Sequence, residues 1–187
     1  MNRQTIPEPC LTKAARGSQT GGARWAIVLA GGEGVRLRPL IEMRFGEAKP
    51  KQFCAFWGGK TMLQWALERA YAVCPWNRVK PVITARHERF IEPLSLPHRG
   101  IELIAQPADR GSLAGLLLPL SHILEADPDA TVAVLPSDHF ADPESRFSAY
   151  LGHALKLAEQ SEDQLVLLGA VPDRADAAYE WIKRESC

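Results

Sequence analysis

Cysteine is scarce in this 187-residue chain, and the four present (Cys10, Cys54, Cys74, Cys187) are scattered with no C-x-x-C pair. That pattern gives neither a zinc site nor a disulfide framework. Free thiols and a cytoplasmic setting are the expectation. Long apolar runs are missing too. The densest, Leu113 to Leu120, contains Gly115 and Pro119 and falls far short of the ~18 residues of a membrane span. The first 22 residues lack the apolar stretch of a secretory signal. Aromatic residues make up only 7% and the formal net charge is zero. Both argue against a nucleic-acid surface, where aromatics interleave with basic residues.

What is present is ordinary for a globular chain: 46% apolar and 24% charged residues, in a length that suits about one domain. The charge is unevenly spread. Residues 1–60 hold ten Lys or Arg against four acids, an excess of +6, and the remainder carries the opposite excess. A basic first third can serve an anionic ligand. Residues 1–23 are polar and broken by Pro7, Pro9, Gly17, Gly21 and Gly22, which predicts a flexible arm ahead of one domain over 24–187.

Within that domain, Trp25 to Ala30 is a short apolar run ending at glycines, the pattern of a buried parallel strand. Residues 31–60 have no clean period and read as a long functional loop. Thr61 and Gln64 fit a capping box ahead of an apolar helical face, and Pro75 and Asn77 stop that helix. Strands are expected at Val79 to Thr84, Ile101 to Ala105, Thr131 to Leu135, Gln164 to Ala170 and Tyr179 to Lys183. Ser112 is placed as the cap of a helix reaching about Ala126, kinked or restarted at Pro119. Asp142 and Pro143 are read as an N-cap and a first helical residue. Alternating strands and helices imply a Rossmann-like three-layer α/β/α fold on a mainly parallel sheet. Ligands in such sheets bind beyond the carboxyl ends of the strands.

Four segments at those ends carry chemistry. Leu29 to Leu40 (LAGGEGVRLRPL) runs a strand into Ala30, Gly31, Gly32 and Gly34, then Arg36. Glycines let backbone N–H groups converge on a phosphate, and Arg36 adds a planar fork. The plainer alternative is a glycine turn with surface arginines. Pro50-Lys51-Gln52-Phe53 holds a lysine between a proline turn and an aromatic. Gln106 to Gly111 offers a side-chain amide able to read a base edge, with Gly111 leaving backbone groups open at a helix start. In Leu135 to His139, Asp138 follows a buried strand, where one carboxylate with substrate phosphates can hold Mg²⁺. His139 is given no proton-transfer role. Two familiar phosphate motifs fail. The dinucleotide fingerprint lacks its third glycine, Leu37 standing there, and no helix is expected directly after the loop. The Walker motif at Gly59-Lys60-Thr61 has Cys54 at its first position; Gly58 and Gly59 read as a turn.

In this order the four segments resemble the sugar-nucleotide pyrophosphorylases. Gly32, Gly34, Arg36, Leu37, Pro39 and Leu40 match that family's G-x-G-x-R-L-x-P-L signature. Pro50 to Phe53 is similar to the PKQF segment of the bacterial mannose-1-phosphate guanylyltransferases. Arg110-Gly111-Ser112 stands in place of the more usual R-N-T. Ala178 and Glu180 replace two glycines of a sugar-approaching strand, and the resemblance spans roughly residues 24–182. It implies a C-terminally truncated nucleotidyltransferase domain holding the nucleotide-binding part.

The resemblance also implies a reaction. A sugar 1-phosphate attacks the α-phosphorus of GTP in line, giving GDP-mannose and pyrophosphate. Arg36 and Lys51 are then the catalytic cations. Ala30, Gly31, Gly32, Gly34, Gln106 and Gly111 bind the nucleotide, and Asp138 holds Mg²⁺. The partners implied are GTP and mannose 1-phosphate, with neither nucleic acid nor membrane, and with self-association left open. The rival readings are a non-catalytic nucleotide-binding or regulatory subunit and, further off, an NAD-dependent oxidoreductase.

Overall fold

The computed structural model describes residues 22–92, 94, 96, 100–161, 163–177 and 181–183. Four strands, β1 (Arg24–Leu29), β2 (Val79–Thr84), β3 (Ile104–Gln106) and β4 (Thr131–Pro136), are joined through four helices, α1 (Arg38–Phe45), α2 (Met62–Tyr71), α3 (Gly111–Ala126) and α4 (Glu144–Ala158). All strand pairs are parallel, in the order β3-β2-β1-β4. The chain therefore steps outward from β1 to β3, then crosses back through α3 to place β4 on the other side of β1. The strand order reverses between β1 and β4, which is where sheets of this kind bind their ligands.

Side-chain alternation builds the layers. Ala26 and Val28 of β1 face one side, with Val79 and Ile83 of β2, Ala133 and Leu135 of β4, and the apolar faces of α2 and α4. Trp25 and Ile27 face the other side, with Val82, Ile104 and Ile123 and with Leu116 and Leu120 of α3. This is the three-layer arrangement expected. Full burial of side chains such as Leu63 and Leu67 stabilises the fold by about 1.5–3 kcal/mol each.

Helix α2 begins as the spacing predicts. The Thr61 hydroxyl accepts from the Gln64 N–H at 3.2 Å, and the Gln64 side chain accepts from the Thr61 N–H at 2.8 Å. Gly58 and Gly59 form the turn before it, both with positive φ. Cys54 and Cys74 are buried free thiols. Burial pushes both thiols up, Cys74 to about 11, which keeps them protonated and unreactive. Among the described residues no helix is long and apolar enough to cross a membrane.

Several expectations are corrected. The segment after the glycine loop is helical: a 3-10 turn over Val35–Leu37 leads straight into α1. Its apolar pattern is weak because only Ile41 is buried. Arg110, not Ser112, is the N-cap of α3, and the helix runs through Pro119 without a restart. Pro143 is the N-cap of α4 rather than its first residue, after a cis Asp142–Pro143 peptide. Residues 164–172 form no strand; Leu165 is 95% and Val171 91% exposed. A strand needs a neighbour, and among the described residues the sheet ends at β4. Of the sixth expected strand, 181–183 are not in a strand, and 179–180 lie outside the described residues. So do the arm over 1–21, Ala178, Cys10 and Cys187.

Candidate functional site

The carboxyl ends of β1 and β4 lie side by side, with Leu29 paired to Pro136. Strand β1 delivers the glycine loop there and β4 delivers Asp138. The loop is shaped by polar side chains from elsewhere. Buried Gln52 donates through Nε2 to the carbonyls of Ala30 at 2.7 Å and Gly32 at 2.8 Å. Ala30 is itself buried, and its N–H donates to the Val82 carbonyl at 2.8 Å. Ala30 thus anchors the loop in the sheet. Gly32 is exposed, and a methyl placed on it would meet nothing within 4 Å.

Gly34 has φ +62°, and a methyl there would lie 3.2 Å from both Cγ and the backbone N of Lys51. Only glycine combines that conformation with that approach. Lys51 opens a 3-10 turn over Lys51–Phe53, and its ammonium forms an ion pair with Asp138. The first, second and fourth sequence segments therefore meet at the switch point. Arg36 is exposed, and its guanidinium has no partner among the described residues. Lys51, Asp138 and the backbone of the glycine loop come together at these strand ends, where glycine N–H groups and a cation suit a polyanion.

The third segment arrives from β3. Gln106 is buried against the glycine loop: its Oε1 would lie 3.6 Å from a methyl on Gly31 and 3.7 Å from one on Gly115. No hydrogen bond of its side chain forms among the described residues, which leaves the amide available. Gly111 lies apart, exposed at the start of α3 with φ +80°. Its N–H is taken by Asp109 Oδ1 at 2.9 Å, so that donor is engaged rather than open.

Three supports were not foreseen in the sequence. Arg69 of α2, 4% exposed, pairs with both Glu144 oxygens at 2.7 Å and donates to the His139 carbonyl at 2.8 Å. It clamps the loop that carries Asp138, while the His139 side chain stays exposed. Gln52 was visible only as one letter of Pro50 to Phe53. Glu33, within the glycine loop, accepts from Arg86 at 2.7 Å and lies 3.0 Å from His87 Nε2. The signal for Arg69 and Gln52 is a polar residue among buried apolar ones, a group that burial forces to find a partner; Glu33, between two glycines, carries no such signal.

For a metal, the donor set is small. Among the described residues no three His, Cys, Asp or Glu side chains cluster. Asp138 at the end of β4 is engaged by a cation already, the Lys51 ammonium. A lone, cation-seeking carboxylate beside a polyanion site fits a hard ion that takes its other ligands from phosphates and water.

Known proteins resemble this chain. The chain is 33% identical over 171 residues to mannose-1-phosphate guanylyltransferase of Escherichia coli K12, covering 86% of this chain and 33% of that protein. It is 31% identical over 160 residues to the alginate biosynthesis protein AlgA of Pseudomonas fluorescens, covering 84% of this chain and 32% of that one. The chain thus spans about a third of the length of these curated relatives. A crystal structure described as mannose-1-phosphate geranyltransferase from Thermus thermophilus superposes with a TM-score of 0.63 at 31% identity, over 74% of this chain and 39% of that one. Residues 25–186 match the Nucleotidyl transferase family, and the chain belongs to that family.

Proposed function

We propose that this chain carries the nucleotide-binding part of a mannose-1-phosphate guanylyltransferase, which joins GTP and mannose 1-phosphate into GDP-mannose and releases pyrophosphate. The observation that carries the reading is the convergence at the switch point: Gly34 packs on Lys51, and Lys51 pairs with Asp138. Three segments distant in sequence meet where an α/β sheet binds its ligand. The similarity to the guanylyltransferase of E. coli K12 supports the choice of substrates.

The sugar phosphate oxygen is already anionic at neutral pH, so attack on the α-phosphorus needs no general base. Catalysis is then positioning and charge neutralisation. The N–H groups of Gly31, Gly32 and Gly34 cradle the triphosphate. Arg36 neutralises the departing pyrophosphate. Lys51 leaves Asp138 for the α-phosphate, which frees the carboxylate. Asp138 would then hold Mg²⁺, which when bound offsets the charge of the reacting phosphates. Gln106 offers its amide to the base. Loss of one such contact commonly lowers the rate ~10²–10³-fold.

The test is calorimetry with GTP and Mg²⁺, followed by a pyrophosphate-release assay with mannose 1-phosphate. Binding that Arg36→Ala weakens, with release once a guanylyltransferase C-terminal part is appended, supports the reading. Binding with no release even then favours a non-catalytic nucleotide-binding subunit, and absence of binding overturns both.

A further inference from the structure

A chain of three side chains runs behind the glycine loop. Thr84 ends β2 and is buried; its Oγ1 lies 3.1 Å from the Gly31 carbonyl oxygen and 2.8 Å from His87 Nδ1. His87 is 2% exposed, lies edge-on to Phe53, and has its Nε2 3.0 Å from Glu33 Oε1. The charged groups around it are Glu33 from the loop, Arg86 on its own turn and Asp109 ahead of α3. Arg38 of α1 stands 4.0 Å from Glu33.

The proton count in this chain is tight. A carboxylate at Glu33 only accepts, so Nε2 carries a hydrogen. With the ring neutral, Nδ1 is then a bare acceptor and takes the only hydroxyl proton of Thr84. The Gly31 carbonyl is left without that donor. With the ring charged, Nδ1–H donates to Thr84 Oγ1, and the hydroxyl proton is free for Gly31. The Gly31 carbonyl and the Gly32 N–H share one planar peptide, so anchoring the carbonyl fixes where the N–H points. Gln52 already pins the peptides on either side, through the Ala30 and Gly32 carbonyls. The Gly31–Gly32 peptide between them is the one Thr84 governs.

We propose that Thr84 and His87 are positioning residues of the glycine loop, which orient the Gly32 N–H according to the charge on the His87 ring. The consequence for nucleotide rests on the reading of this loop as the phosphate cradle; the orientation itself does not. Burial holds the ring below its ordinary range, while the nearby Glu33 opposes that shift. The change of charge therefore falls on the acid side of neutrality.

The experiment is NMR of the ligand-free full chain from about pH 4.5 to about pH 8, the range in which histidines titrate. It follows the His87 ring, the Gly31 carbonyl carbon and the Gly32 amide. All three should move with one midpoint. In Thr84→Val the ring should still titrate while the two glycine signals stay still. In Glu33→Gln, which keeps an acceptor but removes the charge, the ring midpoint should fall. Glycine signals that do not follow the ring, or that follow it in Thr84→Val, overturn the proposal, as does a ring that does not titrate. Calorimetry with GTP and Mg²⁺ then reads the consequence. Below the ring midpoint Thr84→Val should weaken binding about three- to tenfold, the size of one lost neutral hydrogen bond, and above it should match wild type, which flattens the pH profile. Wild-type protein that binds no GTP refutes the phosphate reading and leaves the NMR result standing. Binding equal to wild type at every pH in Thr84→Val refutes the positioning role.

Discussion

Gly32 and Gly34 stand two residues apart in one loop, yet the geometry assigns them opposite responses to a methyl group. At Gly34 φ is +62°, and the new carbon would sit 3.2 Å from Lys51 Cγ and from the Lys51 backbone N. The left-handed conformation costs a residue with a Cβ about 1–2 kcal/mol. The Lys51 side chain can yield, but its backbone N is fixed in the turn over Lys51–Phe53. Gly34→Ala should therefore lose about 2 kcal/mol, a fall in Tm of about 4–8 °C for a chain of this size. Gly32 is not among the positive-φ glycines and has nothing within 4 Å of the added carbon. Where the backbone accepts it, Gly→Ala gains about 0.4–1 kcal/mol by restricting the unfolded chain.

Urea denaturation of the two variants should thus differ by about 2–3 kcal/mol. Equal stabilities would refute the geometric reasoning. Ligand binding adds an independent reading. The space in front of Gly32 is where a phosphate would approach the backbone, so Gly32→Ala should lose GTP affinity about tenfold or more while keeping its stability. A Gly32→Ala protein as stable as wild type and binding GTP as tightly would remove the loop as a phosphate cradle.

Asp138→Asn should cost under about 1 kcal/mol, because the Lys51 pair it breaks is a quarter to a third exposed. Mg²⁺-dependent GTP binding should fall about tenfold, the loss of one charge-assisted contact; Mg²⁺ dependence unchanged by calorimetry would leave Asp138 only as the partner of Lys51. Thr61→Ala removes the hydroxyl half of the α2 capping box and leaves the backbone N–H to the Gln64 side chain; it should cost about 1 kcal/mol, seen as a Tm lower by about 2–4 °C. The depressed folded-state pKa of His87, caused mainly by burial, makes the unfolded chain the stronger proton binder. Its contribution is fully present above about pH 6.5 and is lost as pH falls toward the folded value; urea midpoints at about pH 7 and about pH 5.5 should show a decline that His87→Gln lacks.

The elements that the sequence disclosed are those whose own residues decide them. Strand β2 carries Lys80 and Pro81, yet the expected bounds, Val79 to Thr84, are the observed ones. Every side chain of that strand is buried, and the continuous buried pattern outweighed two poor strand formers. The capping box of α2 is likewise local, its two partners three residues apart. Helix α1 was missed because only Ile41 anchors it, and one buried side chain makes no period. The expected strand over 164–170 failed for the opposite reason. Its apolar run is real, but whether such a run pairs depends on a neighbouring strand that its own letters do not specify.

The same division runs through the site. In the proposed reading, Gly32, Gly34, Arg36, Lys51 and Asp138 stand out in the sequence because ligand chemistry restricts their types: a phosphate demands close backbone approach and fixed cations, and a hard cation demands a carboxylate. Gln52, Arg69, Thr84 and His87 were not legible, and each holds a backbone carbonyl or a loop side chain at the strand ends. A carbonyl accepts from any donor that reaches it, so the residue type that serves it is degenerate. Their partners are also remote: Gln52 reaches back 20 residues to Gly32, and Arg69 reaches forward 70 to His139. What marks these residues is burial, since a polar group inside the core must be paired, and burial is a property of the fold. Groups proposed to meet the ligand are thus constrained by chemistry and readable in one dimension. Groups that aim them are constrained by geometry, and in this chain they sit at the carboxyl ends of β1, β2 and β4, where the sheet order places the site.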